Sequence, residues 1–538
     1  MKKTHALAIA VLAIAGAATT GSAVTRRASV QSAPGAYDPA RRAAEFTEAR
    51  RRDDFAAMQT YRPGYAFWQH VFIMPDHSIA YGSGVDGRLL AFFPTKGDWT
   101  RDAVWGDPAL ADILDGEPLS RKLGERREQV ATLMEQQTGP VMYNSTRGDA
   151  LLPNARKYGR FVGEWAAIYE RFGVPADIGL AQAILESGLS PSRRSEANAV
   201  GFCQWLRKNW MRLNRLSGAV IDGDNQTTQA PYCAAYLSVL ATKYGSFIPA
   251  LSEHNAGGTN VGRALINGER LGQTDVRARY LLGAQLARDL RALPGADYAD
   301  VVRTYGPRSY LYAEMIFGNS FNVRNLMESE PQVPIYAMRT PRAISLDEVL
   351  RGTNLSVEEV RRFNPSLVKL VPARATLYLP FQVSEFGEDV AFWRAPPSVL
   401  YATVLDDFVR LPSGVERWDN PAFAPVLKEF RRRFKATQTE EGNVMATVLT
   451  YAMDQAYTSP RRALLNEFRD SDKVRQLFRR GVLELDSVQG AESKGHPRDP
   501  ERRSSSMGHL QMWDGAPRSY QPVLYASPSQ QLTRMFEP

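Results

Sequence analysis

Cysteine is scarce in this chain of 538 residues: there are two, Cys203 and Cys233. Histidine is nearly as rare, with six scattered copies. A structural or catalytic metal centre needs a cluster of such ligands, so none is expected. Long apolar runs are also missing after the N-terminus, which excludes a later membrane-spanning helix. No nucleic-acid-binding motif is present. Gly82-Ser83-Gly84 lacks the spacing and helix start of a phosphate loop, and no cofactor site is read from it.

What is present begins with a leader. Lys2 and Lys3 precede the apolar run Ala6 to Ala18, and Gly21-Ser22-Ala23 offers a cleavage site. Residues 1–23 are read as a signal peptide, and no cysteine nearby invites lipid attachment. The expected address is the periplasm or the cell exterior, with an uncleaved N-terminal anchor as the alternative. In such an oxidising compartment Cys203 and Cys233 form a bridge or remain two buried thiols. The net charge of +8 suits an anionic partner or simply solubility.

The chain is too long for one core, so several domains are expected. Residues 24–149 form an N-terminal region. Within it Tyr37 to Met58 reads as a surface helix and 64–99 as a small β element. The strand-like stretches are Phe67 to Met74, Ile79-Ala80-Tyr81 and Leu89 to Phe93, with a hairpin turn at Asp86-Gly87. Residues 107–137 return to helix, and Pro153 to Phe172 follows with Phe161, Trp165 and Ile168 on one face. Residues 333–381 read as β-α-α-β. From 398 to 485 the pattern is helical, in four segments: Leu400–Val409, Pro421–Phe434, Gly442–Tyr457 and Pro460–Arg480. The polar stretch 490–506 lies in a tail, 486–538, expected to be disordered.

One segment suggests chemistry. Leu180, Ile184 and Leu185 lie at helical spacing, Gly188 follows as a C-terminal cap, and Pro191 prevents resumption. Glu186 therefore sits in the last turn, where the helix dipole is negative. Apolar neighbours add a desolvation cost. Both effects favour the protonated acid, a proton donor of the kind glycosidic cleavage needs.

Glu186-Ser187-Gly188, Ser195-Glu196-Ala197-Asn198-Ala199-Val200-Gly201-Phe202-Cys203-Gln204, Glu253-His254-Asn255-Ala256-Gly257 and Arg308-Ser309-Tyr310-Leu311 occur in that order. Together they resemble the motifs of lytic transglycosylases (SLT domain), in the branch of membrane-bound lytic murein transglycosylase D. The resemblance spans 150–326 and implies a mainly α, lysozyme-like domain. It also implies cleavage of the MurNAc-GlcNAc bond of peptidoglycan glycan strands, leaving 1,6-anhydromuramic ends. Glu186 is the implied single acid and base. Ser187, Gln204, His254, Asn255 and Tyr310 are the implied substrate-binding residues. Ser187 alternatively caps its helix, Gln204 packs as a polar core residue, and Tyr310 is a core aromatic. His254 replaces the family's Tyr, and its protonation would weaken the acid. Residues 333–381 resemble a degenerate LysM repeat, kept for glycan binding or for packing alone. A muramidase using water and an inactive wall-binding scaffold are the rival functions. No cofactor is implied, and the identity of any protein partner is left open.

Overall fold

In a computed structural model the described residues are 38–218, 220–270, 272–289, 311–329, 331–390 and 423–454. The leader 1–23, Tyr310, the helical segments at Leu400–Val409 and Pro460–Arg480, and the tail 486–538 lie outside them. The chain divides into Met1–Asp38, of which only Asp38 is described, and a compact unit beginning at Pro39. The described part is mainly helical, 60% helix against 11% strand, which agrees with the mainly α class.

Helix α1 (Pro39–Tyr61) is more than a surface helix, because Ala43, Arg50, Asp54 and Met58 are buried. The Asp54 carboxylate accepts from the Ser246 hydroxyl and the Phe247 N–H, both at 2.7 Å, and pairs with Arg277. It thus supplies charge to a helix N-terminus elsewhere in the fold. The stretch at Phe67–Met74 departs from expectation. Its aromatic and β-branched residues suggest a strand, yet it forms a 3₁₀ turn (Pro63–Phe67) and helix α2 (Trp68–Ile73). Pro63 opens the turn, and burial of Trp68 against Glu314, whose carboxylate accepts the indole N–H at 3.1 Å, overrides local β preference.

Strands β1 (Ser78–Ser83) and β2 (Leu89–Pro94) pair antiparallel, with Gly87 at φ +74° in the connection as the hairpin signal predicts. Strand β3 (Val104–Trp105), helix α3 (Leu123–Thr138) and strand β4 (Val141–Ser145) complete a four-stranded sheet in the order β3-β2-β1-β4. Strand β4 was not expected from sequence. The helix expected over 107–137 begins only at Leu123. Tyr81, Phe93, Trp99, Val130 and Tyr143 form this element's own core.

The segment Pro153–Phe172 is two helices, α4 (Leu152–Tyr158) and α5 (Val162–Arg171), broken by a 3₁₀ turn at Gly159–Phe161. Phe161, Trp165 and Ile168 are buried together as predicted. Helix α6 (Ala176–Ser187) is buried almost all round, from Ala176 through Ile184. Each large aliphatic among these contributes roughly 1.5–3 kcal/mol by leaving water. A loop holding the paired strands β5 (Ala199–Val200) and β6 (Trp205–Leu206) follows. Helices α7 (Arg207–Ser217), α8 (Gln226–Tyr244), α9 (Phe247–Ala256), α10 (Gly258–Arg270), α11 (Val276–Asp289) and α12 (Tyr312–Ser329) complete the surround. Helices α5 and α12 pack directly on α6.

The β-α-α-β reading holds in outline. Strands β7 (Tyr336–Arg339) and β8 (Ile344–Ser345) lead into helices α13 (Leu346–Thr353) and α14 (Val357–Phe363), followed by strands β9 (Leu370–Val371) and β10 (Thr376–Leu379). Ser345 caps α13, and Ser356 with Glu359 forms a capping box on α14. Strand β11 (Glu388–Asp389) adds to β7, giving a sheet in the order β10-β7-β11. This unit is tied to α8, since the Asn225 amide donates to the Phe363 carbonyl at 3.2 Å and the Thr228 and Tyr378 hydroxyls meet at 2.9 Å. Two further helices, α15 (Phe423–Ala436) and α16 (Glu440–Asp454), agree with two of the four predicted C-terminal segments. They are not a separate module. Phe430, Leu449 and Tyr451 share one hydrophobic core with Trp68, Trp165, Ile184 and Phe363. Among the described residues no helix is long and apolar enough to cross a membrane.

Candidate active site around Glu186

Glu186 stands in the last turn of α6. Gly188 ends the helix in the left-handed conformation, φ +58°, and its N–H returns to the Ile184 carbonyl. A Cβ there would lie 2.3 Å from the Ala150 carbonyl oxygen, so glycine is required by space as well as by φ. The Glu186 side chain is only 15% exposed. Burial raises its pKa from 4.5 to about 7, opposed by a hydrogen bond from Tyr312 that favours the carboxylate. The direction is the one expected from its place in the sequence.

Three side chains surround the carboxyl. The Tyr312 hydroxyl, at the start of α12, donates to Glu186 Oε1. Gln182, one turn before Glu186 on α6, is buried and donates from Nε2 to the Tyr312 oxygen at 3.3 Å. His254 Nε2 lies 3.6 Å from Glu186 Oε1. The imidazole is bracketed by partners that leave no choice of tautomer. Trp205 Nε1 can only donate, and it faces His254 Nδ1 at 3.4 Å. The Cys203 carbonyl can only accept, and it lies 3.0 Å from His254 Nε2. Nε2 therefore carries the hydrogen, and the ring is neutral. Burial lowers its pKa to about 4, with the Cys203 carbonyl opposing. A charged histidine weakening the acid, the concern raised by its replacement of tyrosine, does not arise near neutral pH.

The other expected residues sit in varied places. Ser187 is buried, and its hydroxyl lies 2.9 Å from the Ala183 carbonyl and 3.1 Å from the Phe202 carbonyl. It ties α6 to the following loop, which leaves no hydroxyl for a glycan. Gln204, at φ +49°, donates from Nε2 to the Arg193 and Gly201 carbonyls, both at 2.9 Å. Its amide nitrogen holds the loop in shape. Asn255 is exposed on α9 beside His254. Tyr310 lies outside the described residues, and among those described the tyrosine on Glu186 is Tyr312. Cys203 and Cys233 are bridged, which fastens the His254-bonded loop to α8.

Other carboxylates near in sequence are occupied or remote. Asp177, at the opposite end of α6, receives both Nε and Nη2 of Arg51. Glu253 pairs with Lys243 at 2.7 Å and accepts from the Tyr244 hydroxyl. Glu196 is exposed in the loop. Among the described residues no carboxylate perturbs Glu186 and no metal-binding cluster occurs. The site can thus hold one proton on one buried carboxyl, give it to a ligand and take it back.

Tyr312, Gln182 and Trp205 were not singled out from sequence. Gln182 had a legible signal, its four-residue spacing from Glu186 on one helix face. Tyr312 had none, because its approach to Glu186 depends on how α12 packs on α6. No protein-family model matches this chain, and no curated protein matches it.

Proposed function

We propose that this chain is a lytic transglycosylase of peptidoglycan, with Glu186 as its single acid and base. The observation that carries the reading is a buried carboxyl with a pKa near 7 and, among the described residues, no second carboxylate beside it. A hydrolytic glycosidase ordinarily needs such a partner as nucleophile or water activator. With one carboxyl, protonated Glu186 gives its proton to the glycosidic oxygen as the bond from C1 of the muramoyl unit breaks. The resulting carboxylate then takes the proton of that sugar's C6 hydroxyl as O6 bonds to C1. A 1,6-anhydro ring forms, no water is consumed, and Glu186 is protonated again. The intramolecular hydroxyl supplies a high effective concentration. Tyr312 offers a donor to the carboxylate formed midway, and neutral His254 places no cation beside it.

A lysozyme-like domain over 150–326 and a LysM-like unit over 333–381 belong to the same proposal. The helix ending on Glu186 and the β-α-α-β order support them. Export to the periplasm or beyond is supported by the Cys203–Cys233 bridge, since such bonds persist in oxidising compartments.

Mass spectrometry of products from purified peptidoglycan tests the proposal. The expected products carry anhydromuramic ends, each lighter by one water than the hydrolytic product. Glu186→Gln should fold and lose cleavage by at least the roughly 10²–10⁴-fold of acid–base catalysis. Reducing ends that take up oxygen-18 from labelled water would overturn the mechanism in favour of a muramidase.

A further inference from the structure

The C-terminal helices are unexplained by the proposed chemistry, yet they reach its edge. Helix α16 packs on α7 and α8. Its first turn is anchored at two points, Glu440 to Arg339 of β7 at 3.0 Å and Glu441 to Arg171 of α5. From its far end buried Tyr451 stacks on Trp205, with ring centres 5.7 Å apart and planes at 27°. Tyr451 also meets the Tyr236 ring edge-on at 5.8 Å. Trp210 closes on Trp205 at 4.9 Å, and Tyr236 packs edge-on against Trp205 at 5.0 Å. The indole is therefore gripped on several sides, and one grip comes from α16.

Trp205 is also the donor to His254 Nδ1. We propose that Trp205 and Tyr451 are positioning residues of the Glu186 site, and that the C-terminal helix pair serves to hold the Trp205 N–H on His254 so that the imidazole stays uncharged beside the acid. This inference rests on the transglycosylase reading for its catalytic consequence and on the geometry alone for the state of His254.

The physical chain is short. To gain a second proton His254 must place it on Nδ1, where the indole N–H already points. Two N–H groups cannot face each other, so protonation has to displace Trp205, and the aromatic stack resists that. If the ring did become charged, a cation would stand 3.6 Å from Glu186 Oε1 and make the carboxylate formed midway a weaker base for the C6 hydroxyl proton. Among the described residues the groups facing His254 are few. Glu186 comes from α6, and Tyr236 from α8. On its own helix Glu253 is turned to Lys243 and Tyr244. From α7, Arg212 acts on the Tyr451 hydroxyl. The loop contributes the Cys203 carbonyl and Trp205 itself.

The test uses the full chain and two readouts. The His254 ring is followed by NMR titration, its signal assigned by loss in His254→Asn, and cleavage of purified peptidoglycan is followed from pH 3.5 to 8.5. Trp205→Phe keeps a ring and removes the donor. Its His254 should titrate about one pH unit higher than the value of about 4. The acidic limb of the cleavage profile should rise with it while the alkaline limb stays in place, leaving about threefold less activity at pH 4.5. Tyr451→Leu should move both readouts the same way, and Tyr451→Phe, which restores the ring, should bring them back. An unchanged His254 titration in folded Trp205→Phe overturns the inference, whatever Tyr451→Leu does. An acidic and an alkaline limb that fall together, with His254 unmoved, would mean general damage and would equally overturn it. Should the wild-type chain cleave no peptidoglycan, the transglycosylase reading fails while the NMR arm still decides the inference.

Discussion

Glu186 should destabilise the folded protein at alkaline pH, and Glu186→Gln should remove that cost. The carboxyl is 15% exposed, and burial raises its pKa from 4.5 to about 7. Below pH 4.5 it is protonated in both the folded and the unfolded chain, and it takes nothing from stability. As pH rises from 4.5 toward 7 the unfolded chain releases its proton and the folded chain does not. Folding then loses free energy until the native carboxyl also ionises. A rise from 4.5 to about 7 corresponds to about 3 kcal/mol at 1.36 kcal/mol per pH unit. Glutamine has the shape of the protonated acid and cannot ionise, and its carbonyl still accepts from Tyr312. The variant should therefore match wild type in urea unfolding at pH 4.5 and exceed it by about 2–3 kcal/mol at pH 8.5. Equal stability of the two proteins at pH 8.5, or a gain of the same size at both pH values, would refute the buried-acid account. That outcome would place Glu186 in contact with water and remove the basis for its role as proton donor.

Two further outcomes follow from the same surroundings. Tyr312→Phe removes the hydrogen bond that favours the carboxylate, so the Glu186 pKa should rise further and the alkaline limb of the cleavage profile should move up by about one pH unit; a downward shift would show that Tyr312 serves the protonated form instead. Cys203→Ser with Cys233→Ser opens a loop with a sequence separation of 30, which in the chain-entropy view costs about 3.6 kcal/mol. It also frees the loop whose Cys203 carbonyl holds His254, so urea unfolding should show the loss in stability and NMR a broadened His254 resonance.

Local sequence was enough for features that depend on neighbouring residues. The end of α6 was legible because Gly188 and Pro191 stop a helix through backbone sterics alone. With that end comes the place of Glu186 in the last turn and the direction of its pKa. The β1–β2 hairpin was legible for the same reason, through Asp86-Gly87. The two helices of the β-α-α-β unit are set by equally local contacts, the cap at Ser345 and the Ser356–Glu359 capping box. Each of these is decided within a few residues of chain.

Only the tertiary structure decided what lies across from those residues. Trp68 and Phe72 have the look of a strand, and burial against α12 makes them helix. Tyr312 meets Glu186 because α12 packs on α6, an interaction 126 residues away in sequence. Whether His254 carries a charge could not be read from its type, since the answer lies in a donor from Trp205 and an acceptor from Cys203 that the chain brings together from some fifty residues earlier. The boundaries drawn from composition do not interrupt the core, because Tyr451 and Phe363 fill space around helices far from them in sequence. Propensity and capping act over one turn of chain, whereas burial, tautomer and pKa are set by groups that meet only after folding.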